Sequence, residues 1–131
     1  MNVLPSPFPS LRRRRLETLQ VNLGYRCNQS CRHCHVDAGP WRTEMMESHQ
    51  VELIPQVLRH CQLKTLDLTG GAPELHPQFR DLVRAARALG VAVIDRCNLT
   101  ILSEPGQESL AEFLAESGVR IVCLCNCCMA R

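Results

Sequence analysis

The chain has 131 residues, a formal net charge of +2 and 45% hydrophobic residues. That length suits one domain, and the composition is ordinary for a globular protein. The near-neutral balance marks neither a nucleic acid nor a membrane surface as partner.

Residues 1–17 read as a flexible leader. "MNVLPSPFPSLRRRR" carries Pro5, Pro7 and Pro9, the solvated run Arg12–Arg15, and no apolar core of a secretory signal. Nine cysteines in such a chain point to metal or cluster ligation in a cytoplasmic protein, not to a disulfide framework.

The first strand is predicted in "TLQVNLGY", where Leu19, Val21 and Leu23 alternate. The loop "YRCNQSCRHCHVDAGP" follows. Val51, Ile54, Val57 and Leu58 then predict a helix over 47–61, capped by Thr43 or Ser48, with Pro55 causing a kink or a late start. "LKTLDLTGG" reads as the second strand. Pro77 and Gly90 bracket a second helix with Phe79, Leu82, Val83, Ala86 and Leu89 inward. "VAVIDRC" is a near-continuous apolar run, as a buried parallel strand requires. Ser103 and Pro105 open a third helix, with Leu110, Phe113 and Leu114 inward and Gly118 closing it. "VRIVCLC" is the fourth strand.

The order β-α-β-α-β-α-β predicts an α/β fold with parallel strands and right-handed crossovers. Such sheets bind ligands beyond the carboxyl ends of their strands. The cysteine loop, "TGGAPE" and "DRCNLT" each follow a strand, so all three belong on one rim.

Cys27, Cys31 and Cys34 are spaced C-x3-C-x2-C, with His33 and His35 interleaved. "CRHCH" alone fits c-type haem attachment, which leaves Cys27 over and calls for export. The bare C-x-x-C of a thioredoxin-like site should open a helix directly, but "HVDAGPW" intervenes. Zinc on three thiolates plus His33 or His35 is chemically complete. A [4Fe–4S] cluster on three thiolates leaves one iron open, whereas common ferredoxin clusters use four cysteines. The expected chelator of an open iron is the amino and carboxylate group of S-adenosylmethionine.

C-x3-C-x2-C after the first strand of an α/β chain resembles the radical SAM superfamily. The resemblance implies a partial (β/α)6 barrel, of which this chain carries the N-terminal part. It also implies a [4Fe–4S] cluster on Cys27, Cys31 and Cys34, and cleavage of S-adenosylmethionine to a 5′-deoxyadenosyl radical. His33 stands where the family often has an aromatic residue near the adenine. "TGGAPE" resembles the family's glycine-rich GGEP motif. Gly70, Gly71, Ala72, Pro73 and Glu74 would therefore face the methionyl group, with Ala72 in the usual place of Glu and Glu74 a partial substitute. Asn98 resembles the position that contacts the ribose.

"LQVNLGYRCNQSCRHCHVDAGPWRTEMM", "TLDLTGGAPEL" and "VIDRCNLTILSEPGQESLAEFLAE" together resemble the arsenosugar biosynthesis radical SAM proteins over residues 18–122. That resemblance implies a methylated arsenical as substrate, joined through C5′ of the adenosyl group. It also implies an electron donor such as flavodoxin or ferredoxin. The rival reading is a non-catalytic half-domain that holds zinc or a cluster.

Other polar positions have two readings each. His35, Asp37 and Arg42 either shape the substrate side or structure the loop. Asp95 and Arg96 either pair on the rim or touch substrate, and Cys61 and Cys97 read as small core residues. Residues 123–131 depart from the family. Cys123, Cys125, Cys127 and Cys128 there either hold an auxiliary cluster or metal, or follow a shifted reading frame and carry no chemistry. A sheet ending at the fourth strand exposes an edge and predicts an aggregation-prone chain.

Overall fold

A computed structural model describes residues 9–123. Four strands form one sheet in the order β1-β2-β3-β4, and every pairing is parallel. The strands are β1 (Thr18–Asn22), β2 (Thr65–Thr69), β3 (Ala92–Asp95) and β4 (Arg120–Ile121). The helices between them are α1 (Ser48–His60), α2 (Phe79–Ala88) and α3 (Leu110–Glu116). The predicted fold class and element order hold.

The core follows from the apolar periodicity. Leu66, Leu68 and Val93 from the sheet are buried with Val51, Ile54 and Leu58 of α1. Phe79, Leu82, Val83 and Ala86 of α2 and Leu110, Phe113 and Leu114 of α3 complete the same cluster. Phe79 and Phe113 meet edge to face, with centroids 6.5 Å apart, and tie α2 to α3.

Several local expectations need correction. Val57 and Leu89 lie at the edges of their helical stripes and are exposed. Pro55 stays inside a continuous helix. The start of α1 is fixed by Gln50, whose Oε1 accepts from the Glu47 backbone N–H at 3.1 Å, and neither Thr43 nor Ser48 is the cap. Ser103 and Pro105 do not open α3. The segment Leu99–Ser103 closes into a 3-10 turn instead, and α3 begins after Ser109. A second 3-10 turn, Pro73–Leu75, precedes α2. Cys61 is exposed at the end of α1, whereas Cys97 is buried as expected.

Lys64 and Thr65 both donate backbone N–H groups to the Glu17 carbonyl, so the end of the predicted leader already docks on the sheet. β4 is two exposed residues at the sheet edge. Cys125, Cys127 and Cys128 lie outside the described residues. Among the described residues, no helix is long and apolar enough to cross a membrane.

Candidate cofactor site on the sheet rim

The three predicted stretches do meet at the carboxyl ends of β1, β2 and β3, and main-chain bonds hold them together. Gly71 N–H donates to the Gly24 carbonyl at 3.0 Å, and Ala72 N–H donates to the Arg26 carbonyl at 2.9 Å. Both glycines are needed for that approach. Gly70 has φ +139°, a region that favours glycine, and a Cβ on Gly71 would strike the Arg26 carbonyl. The far end of the cysteine loop is pinned as well. His76 Nε2 lies 2.8 Å from the Met46 carbonyl while Nδ1 accepts from Gln78 N–H at 3.1 Å, so Nε2 carries the proton.

Within the loop, Cys27 is buried and Cys31 and Cys34 are half-buried. Cys27 Sγ accepts from the Gln29 N–H at 3.4 Å and from Asn98 Nδ2 at 3.3 Å. Cys34 Sγ accepts from the Ala38 N–H at 3.3 Å. Burial pushes the Cys27 thiol up, against the pull of the Gln29 amide, and Cys34 and Glu74 push it further.

N–H groups aimed at sulfur suit thiolates that carry a cluster, since such bonds help to set its potential. A single tetrahedral zinc, with Zn–S of about 2.3 Å, would bring its thiolates to roughly 3.8 Å from one another. Among the described residues the three loop sulfurs are not gathered within 4.8 Å.

Asn98 is on the rim, but its amide is engaged in the protein. Nδ2 donates to Cys27 Sγ and to Asn28 Oδ1 at 3.1 Å, while Oδ1 accepts from Thr100 Oγ1 at 2.7 Å. Asn28 Nδ2 in turn reaches Thr100 Oγ1 and Glu104 Oε1 at 2.9 and 3.0 Å. The network ties the cysteine loop to the segment after β3. His33 and His35 are exposed.

Arg42 structures the loop. It donates to the Asp37 carbonyl at 2.7 Å, pairs with Glu44 at 2.9 Å and lies 4.8 Å from the centroid of the Tyr25 ring. The hydrogen bonds from Arg42 hold the Glu44 carboxyl down at about 2. Asp37 takes φ +49°, a left-handed turn conformation that Asp tolerates.

Arg96 does not pair with Asp95. Neighbouring residues at a strand end point to opposite faces, and Arg96 instead grips Asp67 through Nε and Nη2 at 2.9 and 2.8 Å. Gln20, opposite Asp67 in the register, adds a third bond at 3.2 Å. Spacing along the chain does not reveal this pair, because its partners lie on different strands.

Asp95 sits with Glu74 and Cys97. One ligand atom from each lies within 4.8 Å of the others, and all three residues are buried. Burial and the adjacent Glu74 carboxylate push Asp95 up to about 9. Glu74 thus turns toward the end of β3. Ala72 and Pro73 are buried beside it.

A parallel α/β sheet whose carboxyl rim gathers a three-cysteine loop, a Gly-Gly turn and an amide-bearing turn sets the class of this protein. The chain belongs to the Radical SAM superfamily, which it matches over residues 21–124. Among curated relatives it is similar to a probable GTP 3′,8-cyclase of Metallosphaera sedula, 37% identical over 81 residues. That stretch is 60% of this chain and 25% of the relative. A probable GTP 3′,8-cyclase of Saccharolobus solfataricus is 30% identical over 77 residues, 59% of this chain and 25% of the relative. The chain thus spans about a quarter of these relatives' length.

Proposed function

We propose that this chain provides the cofactor-binding part of a radical SAM enzyme that acts on a methylated arsenical. The observation that carries the cofactor reading is the bonding of the Gly70–Ala72 turn and Asn98 to the cysteine loop. Cys27, Cys31 and Cys34 hold a [4Fe–4S] cluster. When bound, that cluster supplies the electron that splits S-adenosylmethionine into methionine and a 5′-deoxyadenosyl radical.

The chain's own residues bind and orient. The Gly70 and Gly71 carbonyls accept from the methionyl ammonium, and Ala72, Pro73 and Glu74 shape the wall behind it. His33 covers the adenine. Asn98 serves the ribose side and steadies Cys27. Flavodoxin or ferredoxin delivers the electron, and the reaction takes place in the cytoplasm without nucleic acid or membrane as partner.

The arsenical reading rests on the sequence resemblance over residues 18–122. Its product joins the adenosyl C5′ to arsenic: with dimethylarsinate the C5′–As bond replaces an As–O bond, the oxygen leaves as water after protonation, and the flavodoxin or ferredoxin supplies the one further electron. The curated relatives supply a second reading, cyclisation of GTP. The likeness to them covers the cofactor-binding part, which enzymes of different substrates share.

Two measurements test the proposal. Anaerobically reconstituted, dithionite-reduced chain should give a [4Fe–4S]⁺ EPR signal that changes on adding S-adenosylmethionine, and Cys31→Ser should abolish it. A zinc-only chain with no iron signal would instead support the non-catalytic half-domain. Incubation with dimethylarsinate and, separately, with GTP then distinguishes the substrates. An arsenic-bearing nucleoside supports the first reading, and a cyclised nucleotide overturns it.

A further inference from the structure

Asp95 and Cys97 take no part in the reading above, and Glu74 enters it only as part of the wall behind the methionyl group. Asp95 closes the sheet face that carries Leu66, Leu68 and Val93, standing opposite Leu68 in the register. It has no exposed surface, and Glu74 and Cys97 are 5% and 1% exposed. Among the described residues nothing outside the cluster donates to any of the four carboxyl oxygens; the contacts they have run within it, Glu74 with Asp95 and Glu74 with the Cys97 thiol. Among the described residues, two carboxyl groups are therefore buried side by side with no cation paired to them, an arrangement that is costly for either charged form unless something positive completes it.

A shared proton fills only one of those lone pairs. The Cys97 thiol supplies one further donor, to Glu74, and the remaining lone pairs stay empty. A divalent ion draws on all three groups at once. Two carboxylate oxygens and one sulfur from three positions form a mixed donor set suited to zinc or iron(II), with the remaining position open. Bonds of about 2.0–2.3 Å place tetrahedral ligands roughly 3.3–3.8 Å apart. The three donor atoms already lie within 4.8 Å, so small side-chain rotations close the site.

We propose that Glu74, Asp95 and Cys97 form a buried binding site for one divalent transition-metal ion, zinc or iron(II), separate from the cysteine loop. Binding displaces the Cys97 thiol proton and any proton on the carboxylates, and no electron moves. The ion ties the turn after β2 to the end of β3. It holds whether or not the loop carries a cluster.

The test is equilibrium dialysis of the full chain against zinc, with bound metal counted by elemental analysis. The loop and tail thiols are common to every sample and cancel in the comparison. Asp95→Asn and Glu74→Gln should each bind one equivalent fewer than the parent. Equal counts would mean that the pair shares only a proton, and would overturn the site. Cobalt(II) gives an independent readout that does not depend on either carboxylate variant folding. The parent spectrum minus that of Cys97→Ser should contain a sulfur-to-cobalt charge-transfer band at one ion per chain. A flat difference spectrum would overturn the proposal.

Discussion

Two buried carboxylates sit on neighbouring strands in opposite conditions. Asp67 lies opposite Ile94, and Asp95 lies opposite Leu68, so the two project from opposite faces of the sheet. Asp67 receives two bonds from Arg96 and one from Gln20. Among the described residues Asp95 receives none from outside its own cluster, and its neighbour there is a second carboxyl group, Glu74. Both acids are covered, Asp95 the more deeply, and among the described residues only Asp67 has a cation against it. A buried acid is therefore read from its partners as well as from its depth.

Arg96→Ala should break the pair with Asp67 and have the largest effect. Removing one member of a buried ion pair costs ~3–5 kcal/mol. Because 33% of the Arg96 side chain is exposed, solvent screening lowers the expectation to about 2 kcal/mol, measured by urea denaturation. Asp95→Asn should move the other way. Without metal Asp95 is held protonated in the fold while the unfolded chain ionises, a cost that Asn does not carry, so the variant should be more stable at neutral pH by about 1–2 kcal/mol. A loss of stability there would erase the contrast.

The pH profile of the metal-free chain sharpens the same contrast. Hydrogen bonds from Arg96 hold Asp67 below the usual carboxylate range. Its contribution is present above an unfolded value of about 3.9 and is lost as pH falls through the lower folded value. Asp95, raised to about 9, behaves in reverse. It stays protonated in the fold while the unfolded chain ionises above about 3.9, so stability declines as pH rises toward 9. Urea midpoints should fall across that window. Asp95→Asn should flatten the fall, and Arg96→Ala should leave it in place.

The smallest effect expected is that of Asn98→Ala. It removes one N–H bond to Cys27 Sγ and should cost about 1 kcal/mol. Iron should remain bound at full stoichiometry, while the reduction potential moves to more negative values, because one donor to a ligating sulfur is gone. Iron analysis with a redox titration reads both.

Much of this architecture is legible in the sequence because burial imposes period on the chain. The inward residues of α2 and α3 and the run around Val93 announce their elements without tertiary information. The rim is legible for a topological reason: every loop after a parallel strand must emerge on the same side. Other features depend on contacts that a linear pattern does not carry. The late start of α3 reflects closure of Leu99–Ser103 into a turn that supports Asn28. The cysteine spacing marks the loop, but only the fold brings Asn98 onto Cys27. Glu74 and Cys97 are far apart in sequence and belong to no shared motif, so their meeting with Asp95 appears only when the strands are placed.

The bond between the Gly-Gly turn and the cysteine loop has a consequence for variation. Gly71 and Ala72 hold the loop by its backbone carbonyls at Gly24 and Arg26, so the anchor does not read the side chains that the loop displays. Residues such as Arg32, His33 and His35, all exposed, can change without loosening it. A scaffold built this way separates inheritance from invention: the grip is written in two glycines, and the outward face of the loop is left open to revision.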